Sequence, residues 1–226
     1  MSRYGKLILA IAALVVFAGA SMTARAETIT ITGVESGLFS TATVVCEFNS
    51  ATNTFTFTIT NTSNITQPGS TSTITGIGFD LPPTGNASPS GLNGFTGMQA
   101  PSMSANFTFS DGDVGNVPHG FNSAVLDFAF LTGPSGNFSG GSVADGLLPG
   151  ESASFIVSGA AFTGFTEAEI CNAIFVRFQN VPLEGGSGGS DVGVPGEPIP
   201  EPSSILLLGT ALVGLGGLVR RKLKSR

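Results

Sequence analysis

The chain has 226 residues, of which 41% are hydrophobic and only 11% are charged, and its mean hydropathy is +0.34. This composition, with few charges and many apolar residues, excludes a chain that is intrinsically disordered because of its high charge. The formal charge of −6 is an average, because eight of the nine Lys and Arg residues lie in the first 25 and last seven positions. Residues 27–200 hold fourteen carboxylates and one basic residue, Arg177, which gives them a charge of −13. These charges exclude nucleic acid as a partner, and they leave Arg177 as the one cation that a carboxylate of the body could pair with.

The first 26 residues predict a secretory signal peptide. Two basic residues precede an apolar stretch at 7–20, and Ala24 and Ala26 mark an A-x-A cleavage site. The alternative is a transmembrane anchor, which the short apolar stretch and the small residues after it disfavour. We therefore expect export through the secretion translocon, cleavage by signal peptidase and an oxidising compartment for the body.

A second apolar run at 203–219 predicts a membrane helix. Its length as a helix is about 25 Å, slightly below the thickness of a bilayer core. The basic residues at 220–226 would keep the following end in the cytoplasm, with the body on the outer side of the inner membrane. Prolines before the run, among them Pro200 and Pro202, favour an extended approach. The alternative is a buried helix of a globular domain.

The order of features in the last 27 residues resembles the PEP-CTERM sorting signal. The tripartite signal consists here of Pro200, Glu201, Pro202, then the apolar run, then Arg220, Arg221 and Lys222. The resemblance implies a Gram-negative bacterium that makes extracellular polysaccharide. It also implies recognition by an exosortase, a membrane transpeptidase-like cysteine enzyme that cuts near the tripeptide. We therefore expect a transient inner-membrane anchor with the body in the periplasm, followed by transfer to the cell surface or extracellular matrix.

Residues 27–184 predict an all-β domain, a single β-sandwich or jelly roll. The alternation is strictest at 54–60, where Phe55, Phe57 and Ile59 share one face and threonines the other. Short strands rich in Thr, Val, Ile and Phe are predicted at 28–32, 43–48, 54–60, 73–79, 105–109, 124–131, 152–158 and 173–179. Gly- and Pro-rich turns separate them, as in a sandwich. One short helical turn is expected after the capping box at 166–169.

Two segments are predicted to be irregular. Residues 81–104 form a long loop, which is either a binding surface or a variable insertion. Residues 185–199 form a flexible Gly/Ser/Pro linker between the body and the sorting signal at 200–226. Residues 185–189 match the G-x-S-x-G hydrolase pattern, but no histidine follows them, so we interpret the match as accidental.

Few residues are candidates for chemistry. Cys46 and Cys171 are the only cysteines, and in an oxidising compartment a disulfide is the simplest expectation, with two separate buried thiols as the alternative. The only histidine, His119, lies in a predicted turn and is expected to face the solvent.

Asp111 and Asp113 are the best candidates for a metal site. Alternating carboxylates on a glycine-bent loop could hold calcium. An EF-hand would need a carboxylate at its twelfth position, where Asn122 stands. The alternative, which we favour, is a simple Asp/Gly turn, and no other cofactor is expected.

These patterns favour an exported, non-catalytic protein of the cell surface or extracellular matrix, associated with exopolysaccharide in a biofilm. A calcium-dependent adhesive or ligand-binding module is the first alternative. A polysaccharide-active enzyme is the second, and it would need two carboxylates paired across a cleft. Residues 27–200 contain no Trp and no Tyr, which argues against sugar binding by exposed aromatic rings.

Overall fold

A computed structural model describes residues 26–64, 69–82, 92–101, 105–121, 124–133, 137–183 and 186–196. The chain divides into two compact units, Met1–Gly196 and Glu197–Arg226, and all described residues belong to the first. The predicted signal peptide, apart from the exposed Ala26, and the predicted sorting signal lie outside the described residues. Among the residues that are described, no helix is long and apolar enough to span a membrane.

Ten strands and one short α-helix make up the body. In chain order they are β1 Glu27–Gly33, β2 Gly37–Asn49, β3 Thr54–Asn61, β4 Thr73–Phe79, β5 Thr96–Gln99, β6 Thr108–Val114, β7 Leu126–Leu131, β8 Ser152–Ser158, α1 Glu167–Asn172, β9 Ile174–Leu183 and β10 Gly186–Pro195. Two single 3₁₀ turns add Val143–Asp145 and Ala160–Phe162.

All ten strands belong to one antiparallel sheet, in the order β5-β8-β3-β2-β1-β10-β9-β4-β7-β6. The sheet curls until its two edge strands meet. Gln99 of β5 donates to the Ala105 carbonyl at 2.8 Å and accepts from the Phe107 amide at 2.9 Å. Gly97 leaves room for the Phe109 ring of β6, because a Cβ there would overlap the ring. The all-β prediction is confirmed, with one continuous, nearly closed sheet supplying the facing layers.

Phenylalanine fills the space inside the sheet. Phe57 of β3 contacts Phe155 at a ring distance of 5.0 Å, Phe79 at 5.1 Å and Phe130 at 5.9 Å. These residues are fully buried, as the alternation of β3 predicts. On the other face of β3, hydroxyls pair with those of β8, and Thr58 and Ser154 lie 2.7 Å apart. Cross-strand pairs of this kind fix the register.

A second, smaller core covers the outer face of the sheet near β9, β4 and β7. It consists of fully buried apolar residues: Val114, Val117, Leu126, Ala129, Leu131, Phe138 and Val192. Gly76 and Gly78 of β4 make room for the Phe138 ring, which a Cβ at either glycine would crowd. This second core holds the segments around Val117 and Phe138 against the sheet and so positions the site described below.

The disulfide and the helical turn are confirmed. Cys46 on β2 is bonded to Cys171 on α1, with Cα atoms 6.1 Å apart. Thr166 caps α1: its side chain accepts from the Glu169 amide, and the Glu169 carboxylate accepts from the Thr166 amide at 2.9 Å. Both hydrogen bonds of the capping box are therefore present.

The predicted linker is wrong for residues 186–195, which form β10. This strand pairs with β9 along most of its length and with β1 near its end. Glycine permits the bulges of β10 at 186–190, where its register with β9 shifts. The segment is therefore a strand of the sheet rather than a flexible tether. A Cβ at Gly193 would clash with Ile31 and Phe178, whereas a Cβ at Gly188 would meet no atom within 4 Å.

Two further boundaries differ from the sequence prediction. Part of the predicted loop at 81–104 is strand β5, whereas residues 83–91 and 102–104 lie outside the described part. The strand predicted at 105–109 runs instead over Thr108–Val114, so that both Asp111 and Asp113 lie within it. The polar residues of β6 are compatible with a strand because β6 is an edge of the sheet.

Candidate functional site

A cavity of about 510 Å³ lies over the paired strands β9 and β10. Its lining residues come from these two strands and from one 3₁₀ turn: Arg177, Gln179, Asn180, Gly188, Gly189, Ser190 and Val143. Gln179 and Ser190 are register partners across the strand pair. A volume of this size matches the pockets that bind small molecules.

Arg177 is a buried cation in the wall of this cavity. Its residue surface is only 5% exposed, and its Nη1 donates to the Phe138 carbonyl at 3.1 Å. Its Nε is buried and has no hydrogen-bond partner among the described residues, and the same holds for Oε1 of Gln179. Burial lowers the pKa of the Arg177 guanidinium from its ordinary value, but so basic a group stays charged at neutral pH.

The structure does not pair Arg177 with any carboxylate among the described residues. The nearest acidic residue along β10, Asp191, is fully buried but makes hydrogen bonds elsewhere. It accepts from the amides of Ser36 at 2.8 Å and Val192 at 2.7 Å, and from the Ser36 hydroxyl. Asp191 therefore fixes the turn between β1 and β2 and does not neutralise Arg177.

That turn brings a carboxylate to His119. Nδ1 of His119 lies 2.9 Å from Oε1 of Glu35, and Nε2 of His119 lies 3.1 Å from the hydroxyl of Ser190. A hydroxyl, an imidazole and a carboxylate therefore stand in sequence, and of the three residues Ser190 lines the cavity. In hydrolases the same three groups in this order supply a nucleophile, a base and an orienting group.

The prediction that His119 faces the solvent is wrong. Its side chain is 15% exposed, because the buried Val117 holds the turn against the second core. The backbone of His119 has a positive φ of 60°, and Gly120 follows at 88°. Glu35, His119 and Ser190 are far apart in the sequence, and only the sheet order, with β1 next to β10, brings them together.

Asp111 and Asp113, the carboxylates of the proposed calcium site, are both exposed but differ in their hydrogen bonds. Asp111 accepts from the amides of Gly94 and Phe95, both at 3.0 Å, and so links β6 to the segment before β5. Asp113 is exposed, and its φ of 43° lies in the left-handed region where the register of β6 shifts. Within the described part of the chain, no three His, Cys, Asp or Glu side chains are grouped to hold a metal ion.

Asp127 is a buried carboxylate that the sequence did not single out. It is 3% exposed on β7 and accepts from the amides of Leu81, at 2.7 Å, and Leu92. Burial raises the pKa of Asp127 to about 6, with smaller contributions from the charges of Asp80 and Asp113, while the two amide hydrogen bonds oppose the rise. Its role here is to hold the ends of the segment between β4 and β5 to the sheet.

The chain thus combines a secreted-type, disulfide-linked all-β body with a further segment that contains the Pro-Glu-Pro tripeptide, the apolar run and the basic cluster. Residues 198–222 match the family model of the PEP-CTERM protein-sorting motif, which confirms the resemblance of this segment to the sorting signal. The motif implies an exported protein that an exosortase recognises and that is anchored in the membrane before processing. No curated protein and no solved structure is significantly similar to the chain.

Proposed function

We propose that the body is a non-catalytic component of the cell surface or extracellular matrix that associates with exopolysaccharide in a biofilm. The observation that carries the proposal is the sorting motif at 198–222. Export would run through the translocon, signal peptidase would remove residues 1–26, and the body would face the periplasm before the exosortase cuts. The acidic charge of residues 27–200 supports a protein that stays soluble in a hydrated matrix.

The sorting step is tested in the native host with a triple variant, Pro200→Ala, Glu201→Ala and Pro202→Ala. We expect this variant to stay with the inner membrane at the mass of residues 27–226, whereas the natural chain is found outside at the lower mass of the processed body. Glu197→Ala, just before the matched residues, is the control and should be processed normally. Identical location and mass for the triple variant and the natural chain would contradict the proposal.

The matrix association is tested on the processed protein purified from the host. We expect it to sediment together with purified exopolysaccharide and to remain in the supernatant with a neutral dextran. Equal sedimentation with both polymers, or with neither, would contradict an association with this polysaccharide.

One observation favours a second candidate, an enzyme that cleaves acyl esters of a polysaccharide. In such an enzyme the Ser190 hydroxyl would attack the acyl carbon. His119 would take the hydroxyl proton and pass it to the leaving sugar oxygen, while Glu35 holds the imidazole in position. Water then releases the acid and restores Ser190.

Release of acetate from an O-acetylated polysaccharide by the full chain tests this candidate. Ser190→Ala and His119→Gln would each abolish it, whereas Ser154→Ala, which changes a hydroxyl on β8, would not. Absence of release by the natural chain would leave the non-catalytic proposal standing, and equal release by Ser190→Ala would exclude Ser190 as the nucleophile.

A further inference from the structure

The starting point is the unbalanced charge of Arg177. Taking a guanidinium out of water costs free energy unless an anion or a full set of hydrogen bonds replaces the lost solvent. Here one carbonyl, that of Phe138, accepts from Nη1, while Nε is buried without an acceptor among the described residues. The same described residues place no carboxylate within ion-pair distance. Among the described residues, Arg177 is therefore a buried cation without a counter-ion.

The unused edge of the guanidinium has a defined shape. Since Nη1 is directed to Phe138, the remaining pair of donors is Nε and Nη2, which lie side by side. Two parallel N–H donors in one plane match the two oxygens of a carboxylate, and this bidentate geometry is a reason why Arg rather than Lys recognises such groups. Arg177 lines the cavity, so an anion bound there lies beside the guanidinium, although Nε itself has almost no exposed surface.

The rest of the cavity wall is suited to hydroxyl groups. Gln179 and Ser190 both line the cavity. Their amide and hydroxyl groups can form hydrogen bonds with sugar hydroxyls, and a sugar that carries a carboxylate adds an anion for Arg177. A simple inorganic anion supplies only the second interaction.

We infer that the cavity between β9 and β10 binds a carboxylate-bearing sugar, such as a uronate unit of an acidic polysaccharide, with Arg177 holding the carboxylate. The inference rests on the proposed association with exopolysaccharide and names the chemical group that is recognised. It also explains how a body with a charge of −13 can bind an acidic polymer: a buried pair is screened less than the surface charges that repel it.

The test measures binding of glucuronate oligosaccharides to the full chain, purified in detergent, by calorimetry and by thermal unfolding. A neutral glucose oligosaccharide of the same length, acetate and phosphate are the comparison ligands. We expect binding of the uronate only, with a rise in unfolding temperature. Arg177→Lys, which keeps the charge but loses the paired donors, should weaken binding about tenfold or more.

Arg177→Met separates recognition from folding. It removes the buried charge and also the hydrogen bond to the Phe138 carbonyl, so its own unfolding temperature without ligand serves as the reference. This variant should show no rise with the uronate. Asp113→Asn, an exposed change on β6, is the matched control and should bind normally.

Retained binding by Arg177→Met, equal binding of the neutral sugar, equal binding of acetate or phosphate, or no binding by the natural chain would each overturn the inference. The outcome is independent of the sorting and sedimentation experiments. If those succeed and the uronate does not bind, the proposed function stands and only the carboxylate site is lost.

Discussion

Cys46 and Cys171 are 125 positions apart in the chain, yet a disulfide joins them and fastens α1 to the inner strand β2. Both residues are fully buried. The crosslink therefore encloses most of the body in one covalent loop. A loop of this length restricts the unfolded chain strongly, and loss of a native disulfide from a secreted domain has a large effect.

We expect the double variant Cys46→Ala, Cys171→Ala to lose about 2–5 kcal/mol in the free energy of unfolding, measured by urea denaturation under non-reducing conditions. The natural chain with reductant, in which the thiols remain in place, is the control and should lose a similar amount. The exported protein should have the mass of the oxidised form. An unchanged midpoint for the double variant would contradict the stabilising role.

Asp111 and Asp113 form a matched pair for a second prediction. Asp111→Asn should destabilise the body by about 1–2 kcal/mol, because an amide can accept through one atom only and the amides of Gly94 and Phe95 both need an acceptor. Asp113→Asn should change stability by less than about 0.5 kcal/mol, since Asp113 is exposed and Asn tolerates its positive φ. Equal effects would show that Asp111 is not an anchor.

The same two variants decide the calcium alternative. Asp111 already accepts two backbone hydrogen bonds, which competes with a metal for its lone pairs. We expect millimolar calcium to leave the melting temperature unchanged in the natural chain and in both variants. A rise that Asp111→Asn and Asp113→Asn both remove would establish the calcium site instead.

Asp127 makes the stability of the body depend on pH. Its pKa of about 6 in the folded chain exceeds the ordinary 3.8, so the folded state takes up the proton more readily than the unfolded state. This contribution to stability is complete below about pH 4 and is lost as the pH rises to about 6, for a total of roughly 2–3 kcal/mol. Burial also raises the pKa values of Glu27 and Asp80, which act in the same direction.

Thermal unfolding between pH 4 and pH 7 checks this prediction. The natural chain should lose stability over that interval, and Asp127→Asn should lose clearly less, because its amide does not titrate. Glu169 acts oppositely, since its hydrogen bonds to Thr166 lower its pKa and its contribution disappears only as the pH falls below the ordinary value. The same pH profile in Asp127→Asn and the natural chain would contradict the role of Asp127.

The sequence correctly predicted those strands and turns whose structure depends on residues close together in the chain. The strands at 73–79 and 152–158 begin and end where the sequence places them, and the capping box forms as expected. Period-2 alternation and a short capping motif are encoded within a few residues. The disulfide was predictable because two cysteines in an exported domain leave one pairing.

The errors arise where distant contacts outweigh local composition. A Gly/Ser segment is typical of a linker, but at 186–195 it completes the sheet because its backbone pairs with β9 on one side and with β1 on the other. The site was missed for the same reason: its groups come from the turn after β1, the turn at His119 and β10. One signal in the sequence pointed to the cavity, namely that Arg177 is the single cation of residues 27–200.

The position of β10 leads to the last prediction. It lies between β1 and β9, so its removal would expose unpaired backbone groups on both neighbours and take Asp191 from the turn between β1 and β2. We expect residues 27–196 to fold, whereas residues 27–184 should aggregate or lack a cooperative thermal transition. A flexible linker would predict equal stability for the two.

Two single substitutions within β10 test whether this strand packs into the body. Val192 is fully buried in the second core, so Val192→Ala should cost about 2 kcal/mol in the free energy of unfolding. Val194, two positions later on the same strand, is only half-buried, and Val194→Ala should cost less than about 1 kcal/mol. Urea denaturation of the full chain measures both. Equally small losses would mean that the Gly/Ser segment does not pack into the sheet, and the pocket built on β10 would lose its support.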